Sequence, residues 1–432
     1  MNALVYTVGV LVFVFGVLAS IALHEVGHLY PAKKFGVKVT QYFVGFGKTV
    51  WSVRRGETEY GLKAIPLGGF VKLVGMLPPA KDDADGKVRT SNTGLFTQLA
   101  ADARSAEYEH IQPGDEDRLF YRKPWWQKVI VMAGGPLVNV AIAAVLFTVL
   151  LVGIGAATPT LTVASVSDCV IPTTEQRTVC RPGDQVAPAR EAGLQPGDVV
   201  TSFNGTEVSA WGDLTELIRA NADDDAQIGI VRDGEARTLQ ADTTVTARPD
   251  LDDPTQNVEV GFLGVGPTST YVRQDIGTVG LVMREYTKAT VDGILHMPQR
   301  MVGVVDAAFG GERRADSPMS VVGASRVAGD MVTAERTSAL DDAYGLMTLL
   351  ATVNLFIALF NFIPLLPLDG GHIAGALWEG LRRGLARLAR RPDPGHVDVA
   401  KMLPVAYGVA ALLMIMGVLL IYADIVNPVR IY

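Results

Sequence analysis

The sequence predicts a polytopic α-helical membrane protein of about four transmembrane helices, with an α+β domain inserted between the second and third helices. Hydrophobic residues make up 49% of the 432 residues. Four apolar segments, 4–23, 129–152, 345–368 and 403–423, contain no Asp, Glu, Lys or Arg, and each is near the roughly 20 residues that cross a bilayer as a helix. We expect transmembrane helices at 1–31, 129–152, 345–371 and 403–423.

The distribution of charge predicts how these helices are oriented. Lysine and arginine concentrate in segments 24–128 and 369–402, and the positive-inside rule places such segments in the cytoplasm. We therefore expect an inner or plasma membrane protein with both termini outside. Residues 32–128 would form a cytoplasmic segment, and residues 160–247 and 248–344 an extracytoplasmic domain and linker. The net charge of -7 argues against nucleic-acid binding.

The first predicted helix ends in a run that contains His24, Glu25 and His28. Positions i and i+4 share one helix face, so the two imidazoles can bind one zinc ion while Glu25 lies beside the metal-bound water. Zinc lowers the pKa of that water to about 7, and a carboxylate can then take its proton. Ionisable groups at membrane depth are costly and usually functional. The alternative is two interfacial histidines that bind no metal.

A third zinc ligand is expected from the end of the third predicted helix. A catalytic zinc takes three protein ligands and keeps a fourth position for water. Asp369 is the best candidate, because the predicted topology places it at the depth of His28. Pro364 and Pro367 would open the helix and let the carboxylate turn inward. His372 could also be a ligand, but we predict that it faces the membrane interface.

Other residues near these motifs are candidates for substrate binding. Asn361 is predicted to donate to an oxyanion or to the substrate backbone, and the alternative is an interhelical hydrogen bond. The segment Tyr60–Val71 predicts a β-hairpin that includes Gly68 and Gly69. We expect this hairpin to reach toward the metal motif, although a peripheral hairpin fits the same pattern. Residues 80–118 are charged and polar, which predicts a solvated loop.

The segment 160–247 is predicted to form one small domain. Gly193-Leu-x-Pro-Gly-Asp198 forms a turn that leads into a β-branched strand, and Trp211–Ala220 is amphipathic. This order of turn, strand, helix and later hairpin resembles a PDZ domain of the bacterial protease type. PDZ domains bind extended peptides at a sheet edge. The alternative is a domain that only occupies space outside the membrane.

Two further predictions concern the extracytoplasmic region. Cys169 and Cys180 are the chain's two cysteines, and a disulfide between them suits the oxidising side of the predicted topology. Two unpaired cysteines are the alternative. Within residues 248–344, the segment Gly280–Phe309 is predicted to form an amphipathic helix, either along the outer membrane face or packed on the PDZ-like domain.

These motifs together resemble the site-2 protease family of intramembrane zinc metalloproteases, and within it the RseP group and its actinobacterial relatives. The run 24–28 matches the family's zinc motif, and the run 361–371 matches its Asn-x-x-Pro…Leu-Asp-Gly motif. The run 65–69 matches its membrane-associated β-hairpin. The run 133–139 matches the Gly-Pro-x-x-Asn start of its second span. The chain has one PDZ-like unit where RseP has two, which puts a two-PDZ gating scheme in doubt here.

The resemblance implies regulated intramembrane proteolysis with zinc as the cofactor. The expected substrates are proteins with a single membrane span, such as anti-sigma factors, that another protease has first cut outside. The PDZ-like domain would bind a peptide or act as a size filter, and lipid would surround the spans. Two rival functions are an adaptor with a structural or inactive metal site and a metal transporter. The intact Glu25 argues against the first, and the scarcity of ionisable residues in the spans argues against the second.

Overall fold

The computed structural model describes residues 2–78, 103–105, 111–175, 177, 179–251, 256–311, 313, 317–333 and 338–429. Most of the predicted charged loop at 80–118 lies outside these residues. The chain divides into two compact units, one formed by residues 1–150 and 275–432 and the other by residues 151–274.

The main helices and the strands have these bounds. The helices are α1 (Asn2–Lys34), α2 (Trp125–Thr148), α3 (Trp211–Ala220), α4 (Ile276–Leu295), α5 (Met297–Ala308), α6 (Val321–Met331), α7 (Ala339–Asn361), α8 (Asp369–Leu388) and α9 (Leu403–Val426). The strands are β1 (Val39–Arg55), β2 (Thr58–Leu73), β3 (Ala156–Val166), β4 (Val199–Phe203), β5 (Thr206–Glu207), β6 (Asp225–Arg232), β7 (Glu235–Asp242), β8 (Thr244–Pro249), β9 (Asn257–Phe262) and β10 (Val265–Val272).

The first unit contains the predicted membrane-spanning helices. Within the described residues, four helical segments are long and apolar enough to cross a bilayer: Ala3–Lys34, Trp125–Ile154, Ala339–Asn361 and Val399–Val426. The predicted fold class is confirmed at this level, as four candidate spans together with a region rich in β-sheet. The orientation of the spans stays a prediction.

The third span ends earlier than predicted, and Asp369 belongs to a different helix. We expected one helix over 345–371, but α7 ends at Asn361 and α8 begins at Asp369. The segment between them contains Pro364 and Pro367, which lack the backbone N–H that a continuing helix needs. Asp369 therefore occupies the first turn of α8, at the end where the helix dipole is positive.

Residues 248–344 also differ from the predicted linker with one amphipathic helix. Strands β8–β10 lie within 244–272, and three helices, α4–α6, occupy the range 276–331. The side chain of Asp275 caps α4 and that of Ser320 caps α6, each by accepting from two backbone N–H groups of the first turn. The predicted single helix Gly280–Phe309 is divided at His296, where α4 ends and α5 begins with Pro298 in its first turn.

The predicted hairpin is formed by β1 and β2 and is longer than expected. The two strands pair antiparallel and turn at Gly56, whose φ of +63° is unfavourable for other residues. Strand β2 bends back along β1, so the register partners of Tyr42 are Tyr60 and Val71. The segment that contains Val71 thus pairs with β1 along one edge, and its other edge pairs with no described strand.

This hairpin packs against the metal-motif helix. Val39 and Leu73 are buried in one cluster with Leu29 of α1. The hydroxyl of Tyr42 donates a hydrogen bond to the carbonyl oxygen of Ala22, also on α1, over 2.8 Å. The packing holds the end of β2 beside α1.

The second unit is a β-sheet with a helix packed on it. Five strands have the spatial order β10-β3-β4-β6-β7, β5 pairs with β4, and β8 and β9 form a second sheet. Phe203, Ile228 and Ile230 of the sheet share a buried core with Leu214 of α3. The amphipathic helix has the predicted bounds, Trp211–Ala220. The likeness to a PDZ domain stays a prediction.

This unit extends beyond the predicted range 160–247. Strand β10 pairs antiparallel with β3 near the start of the unit, so the sheet is complete only at Val272. A pairing between such distant segments leaves no local signal in the sequence. Cys169 and Cys180 are joined in a disulfide within this unit.

A buried ion pair joins α8 to α2 in the first unit. Lys128 Nζ lies 2.8 Å from Glu379 Oε2, and these side chains are 6% and 2% exposed. The backbone N–H of Val397 donates to the same oxygen, and Arg383 and His396 lie 3.3 and 3.5 Å from Oε1. Burial alone would raise the pKa of Glu379, but the contacts from His396 and Lys128 lower it to about 2.

We expect Lys128→Met to lower the unfolding temperature of the protein in detergent. The carboxylate of Glu379 would stay buried without its closest charged partner, and breaking a buried pair in this way costs about 3–5 kcal/mol. The double variant Lys128→Met/Glu379→Leu should recover much of that loss. Thermal unfolding, monitored by tryptophan fluorescence, measures both effects, and a double variant no more stable than the single one would contradict the assignment.

The same pair predicts a pH dependence. Folding lowers the pKa of Glu379 from 4.5 to about 2. Its contribution to the free energy of unfolding is therefore present above pH 4.5 and is lost as the pH falls toward 2. The stability difference between the wild type and Lys128→Met should shrink over this range. A stability difference that stays constant over this range would show that a group other than Glu379 determines it.

Candidate metal centre

Three predicted ligand atoms meet at one point in the first unit. His24 and His28 lie one turn apart on α1, and their Nε2 atoms are 3.2 Å apart. Asp369 Oδ2, from the start of α8, lies 3.3 Å from His24 Nε2 and 3.4 Å from His28 Nε2. Both histidines are buried. The separation of α8 from α7 is what allows the carboxylate to approach this face of α1.

The hydrogen bonds of the imidazoles fix their tautomers. His24 Nδ1 lies 2.7 Å from Asn139 Oδ1, and His28 Nδ1 lies 2.8 Å from the carbonyl oxygen of Val131. Asn139 Oδ1 is the acceptor here because Nδ2 of the same amide donates to Asn354 Oδ1. Since both partners accept, each Nδ1 carries the proton and each Nε2 presents a lone pair.

The resulting donor set fits a cation. The lone pairs of the two Nε2 atoms and a carboxylate oxygen point at one another. Because neither Nε2 carries a proton, no hydrogen bond can join these two atoms. Asp369 Oδ2 is buried without a hydrogen-bond partner among the described residues. Three ligands of a tetrahedral zinc at about 2.0–2.1 Å are separated by roughly 3.3 Å, which agrees with the three separations of 3.2–3.4 Å. The residues therefore fit zinc.

Glycines let the second helix approach this site. A Cβ atom at Gly135 of α2 would overlap the Nε2 atoms of both histidines, and one at Gly27 of α1 would overlap the Gly134 carbonyl. Small residues at such a crossing allow two membrane helices to pack backbone to backbone. This close approach brings the acceptors on α2 within reach of the imidazoles.

Glu25 lies beside the ligands and against the hairpin. Its side chain is mostly buried, and a Cβ at Gly69 of β2 would contact its Cγ and Oε1 atoms. Glu25 and the three ligands line a cavity of about 470 Å³. The neighbouring Gly68 has a φ of +90° and lines the same cavity. The predicted hairpin glycines thus lie at the metal centre.

The remaining predicted residues also line this cavity. Asn361, the last residue of α7, and His372 of α8 are both part of its wall. His372 is not in the group of three close ligand atoms. The structure therefore places His372 beside the centre, whereas the sequence predicts that it faces the membrane interface.

The predicted site does not include a row of buried polar side chains that starts with a hydrogen bond to His24 Nδ1. Asn139 bonds His24 and Asn354, and the Nδ2 of Asn354 donates to Ser20 Oγ over 3.0 Å. Asn139 and Asn354 are fully buried, and Ser20 is 3% exposed. A signal for the two asparagines exists in the sequence, because polar residues are costly in apolar spans unless they have partners. Their partners, however, lie on other helices.

We expect Asn139→Leu to weaken zinc binding about 10- to 100-fold, since loss of a partner behind a ligating histidine typically has this effect. Asn139→Asp is the matched control, because it keeps an oxygen acceptor for His24 Nδ1. Competition with a chelator measures both zinc affinities. Wild-type affinity in Asn139→Leu would show that the hydrogen bond does not orient His24.

Comparisons with known proteins agree with this arrangement. Peptidase family M50 matches residues 12–390. The zinc metalloprotease Rip1 of Mycobacterium tuberculosis (strain H37Rv) is 33% identical over 447 residues, which cover 99% of this chain and all of Rip1. Rip1 of Mycolicibacterium smegmatis is 32% identical with the same coverage, and the metalloprotease MmpA of Caulobacter vibrioides is 26% identical over 86% of each chain. The chain therefore belongs to peptidase family M50, the site-2 proteases, and is a zinc metalloprotease.

Proposed function

We propose that this protein cuts single-span membrane proteins, such as anti-sigma factors, within the membrane after a first cut outside it. The observation that carries the proposal is that Asp369 of α8 meets His24 and His28 beside Glu25, and that these last three residues lie on a helix long and apolar enough to span a bilayer. A hydrolytic centre on such a helix is suited to peptide bonds that lie in the membrane.

In this proposal His24 Nε2, His28 Nε2 and Asp369 Oδ2 hold the zinc ion. Zinc supplies Lewis-acid chemistry that makes a water molecule acidic near neutral pH. The Glu25 carboxylate takes a proton from the attacking water as the oxygen of that water bonds to the carbonyl carbon of the peptide. The same carboxyl then gives that proton to the leaving nitrogen as the C–N bond breaks. Asn361, on the cavity wall, is proposed to donate to the carbonyl oxygen of the substrate.

The hairpin is proposed to hold the substrate in an extended form. A helix in hydrocarbon satisfies its own backbone, so the scissile peptide needs new hydrogen-bond partners when it unwinds. Residues Gly69–Leu73 pair with β1 on one side, and β2 pairs with no other described strand. Their free edge begins next to Glu25. A substrate strand added there would bring a peptide bond to the cavity by β-augmentation.

We expect Glu25→Gln to keep zinc and to lose cleavage of a model single-span substrate, because the ligands remain while the base is removed. Asp369→Ala should lose both zinc and activity, whereas His372→Ala should keep the metal. Metal content by mass spectrometry and cleavage in detergent measure the two properties separately. Zinc loss in His372→Ala, or full activity in Glu25→Gln, would refute these roles.

The unit 151–274 is proposed to screen substrates, as a size filter or as a peptide-binding domain of PDZ type. The filter predicts that a substrate trimmed to a few outer residues is cut much faster than one with the same span and a folded outer domain. Replacing the unit with a short linker should narrow that gap. Equal rates for the two substrates with the wild-type enzyme would rule the filter out and favour peptide recognition.

A further inference from the structure

Helix α8 presents an exposed apolar face. Five large apolar residues on it are between 49% and 85% exposed: Leu377, Trp378, Leu381, Leu385 and Leu388. At 3.6 residues per turn they lie within an arc of roughly 100°. A face of this width is normally buried in a core or in a membrane. No other element of the described chain covers it.

The opposite face of α8 is fixed to the protein. Ala376 and Glu379 are buried, and Glu379 pairs with Lys128 of α2. Gly380 packs on the ring of Trp125, because a Cβ there would overlap the indole. With these contacts in place, α8 cannot turn its leucine face inward.

Three exposed arginines lie at the C-terminal end of α8 and just beyond it. Arg387, Arg390 and Arg391 are exposed and form no ion pair with the described residues. Arg383, in contrast, contacts the carboxylates of Glu379 and Asp393. Guanidinium groups bind phosphate oxygens through two parallel hydrogen bonds. In the sequence the three arginines lie within three residues of Leu388, which is 85% exposed.

The neighbours of α8 place it at the membrane boundary. It lies in the chain between α7 and the α9 segment, both of which are long and apolar enough to cross a bilayer. Helices with one apolar face and basic residues lie in the headgroup region with the apolar face toward the acyl chains. We propose that α8 lies in the membrane interface and that Arg387, Arg390 and Arg391 bind the phosphates of anionic phospholipids.

The first test measures where the leucine face lies. Both native cysteines are in a disulfide, so Leu388→Cys offers a single thiol for a nitroxide in the full-length protein in lipid nanodiscs. Oxygen should relax this label more strongly than a water-soluble nickel chelate, and the reverse should hold at Asp393→Cys. A label at position 388 that is shielded from both reagents would mean that protein, such as a second copy, covers the face. That result, or preferential access by the nickel chelate, would overturn the proposal.

The second test measures the lipid headgroup. Spin-labelled phosphatidylglycerol should associate with the wild-type protein more strongly than spin-labelled phosphatidylcholine. The triple variant Arg387→Gln/Arg390→Gln/Arg391→Gln should lose at least about fivefold of this preference, and high salt should weaken it. The matched triple Arg→Lys variant keeps the three positive charges, so it should retain more of the preference than the Gln variant, although lysine cannot form the two parallel hydrogen bonds of a guanidinium group.

A control on the other unit separates local from general charge effects. Arg181→Gln/Arg190→Gln/Arg237→Gln removes the same number of exposed positive charges from residues 151–274 and should leave the preference unchanged. Equal association of the two lipids with the wild type, or an equal loss in the control, would overturn the proposal. Neither readout involves zinc or cleavage, so the outcome is independent of the proposed function.

Discussion

The structure depends on one constraint, which is that polar groups inside apolar helices must find partners within the protein. His24 meets this constraint through Asn139, which in turn bonds Asn354, which bonds Ser20. These hydrogen-bonded side chains come from α1, α2 and α7, so three candidate spans share one hydrogen-bond network. Because every member is buried, a lost partner would leave an unsatisfied group rather than one that water can reach.

Steric fit and tautomer choice are coupled at the crossing of α1 and α2. The glycines Gly27, Gly134 and Gly135 leave no room for a side chain between the helices. Any larger residue would push α2 away from α1, and the acceptors for the two Nδ1 protons would move with it. The imidazoles would then lose the bonds that keep their Nε2 lone pairs turned toward Asp369. In this way backbone packing controls the chemistry of the ligand atoms.

The sequence predicted those parts of the site that depend on local spacing. His24, Glu25 and His28 lie within one turn of helix, and their pattern carries its own chemistry. Asp369 was predictable from the need for a third ligand at the same depth, but its helix was not, because prolines indicate a break and do not specify the structure after it. Asn139 and the pairing of β3 with β10 depend on partners more than a hundred residues away. The predicted third span, 345–371, includes only the first turn of the amphipathic α8, and no helix is predicted for the rest of it.

One face of α2 contacts both α1 and α8, which explains why the ligands from these two helices meet. Lys128, Val131, Gly135 and Asn139 are spaced three and four residues apart, so they share one side of α2. Lys128 holds Glu379 of α8, Val131 and Asn139 hold the two imidazoles of α1, and Gly135 gives those imidazoles room. Glu379 lies ten residues after Asp369 on α8, or about 15 Å along the helix axis. Since a helix of this length is stiff, fixing Glu379 against α2 limits the positions open to the Asp369 carboxylate. The three ligand atoms are thus set relative to one another by their separate attachments to α2, a helix that supplies none of them.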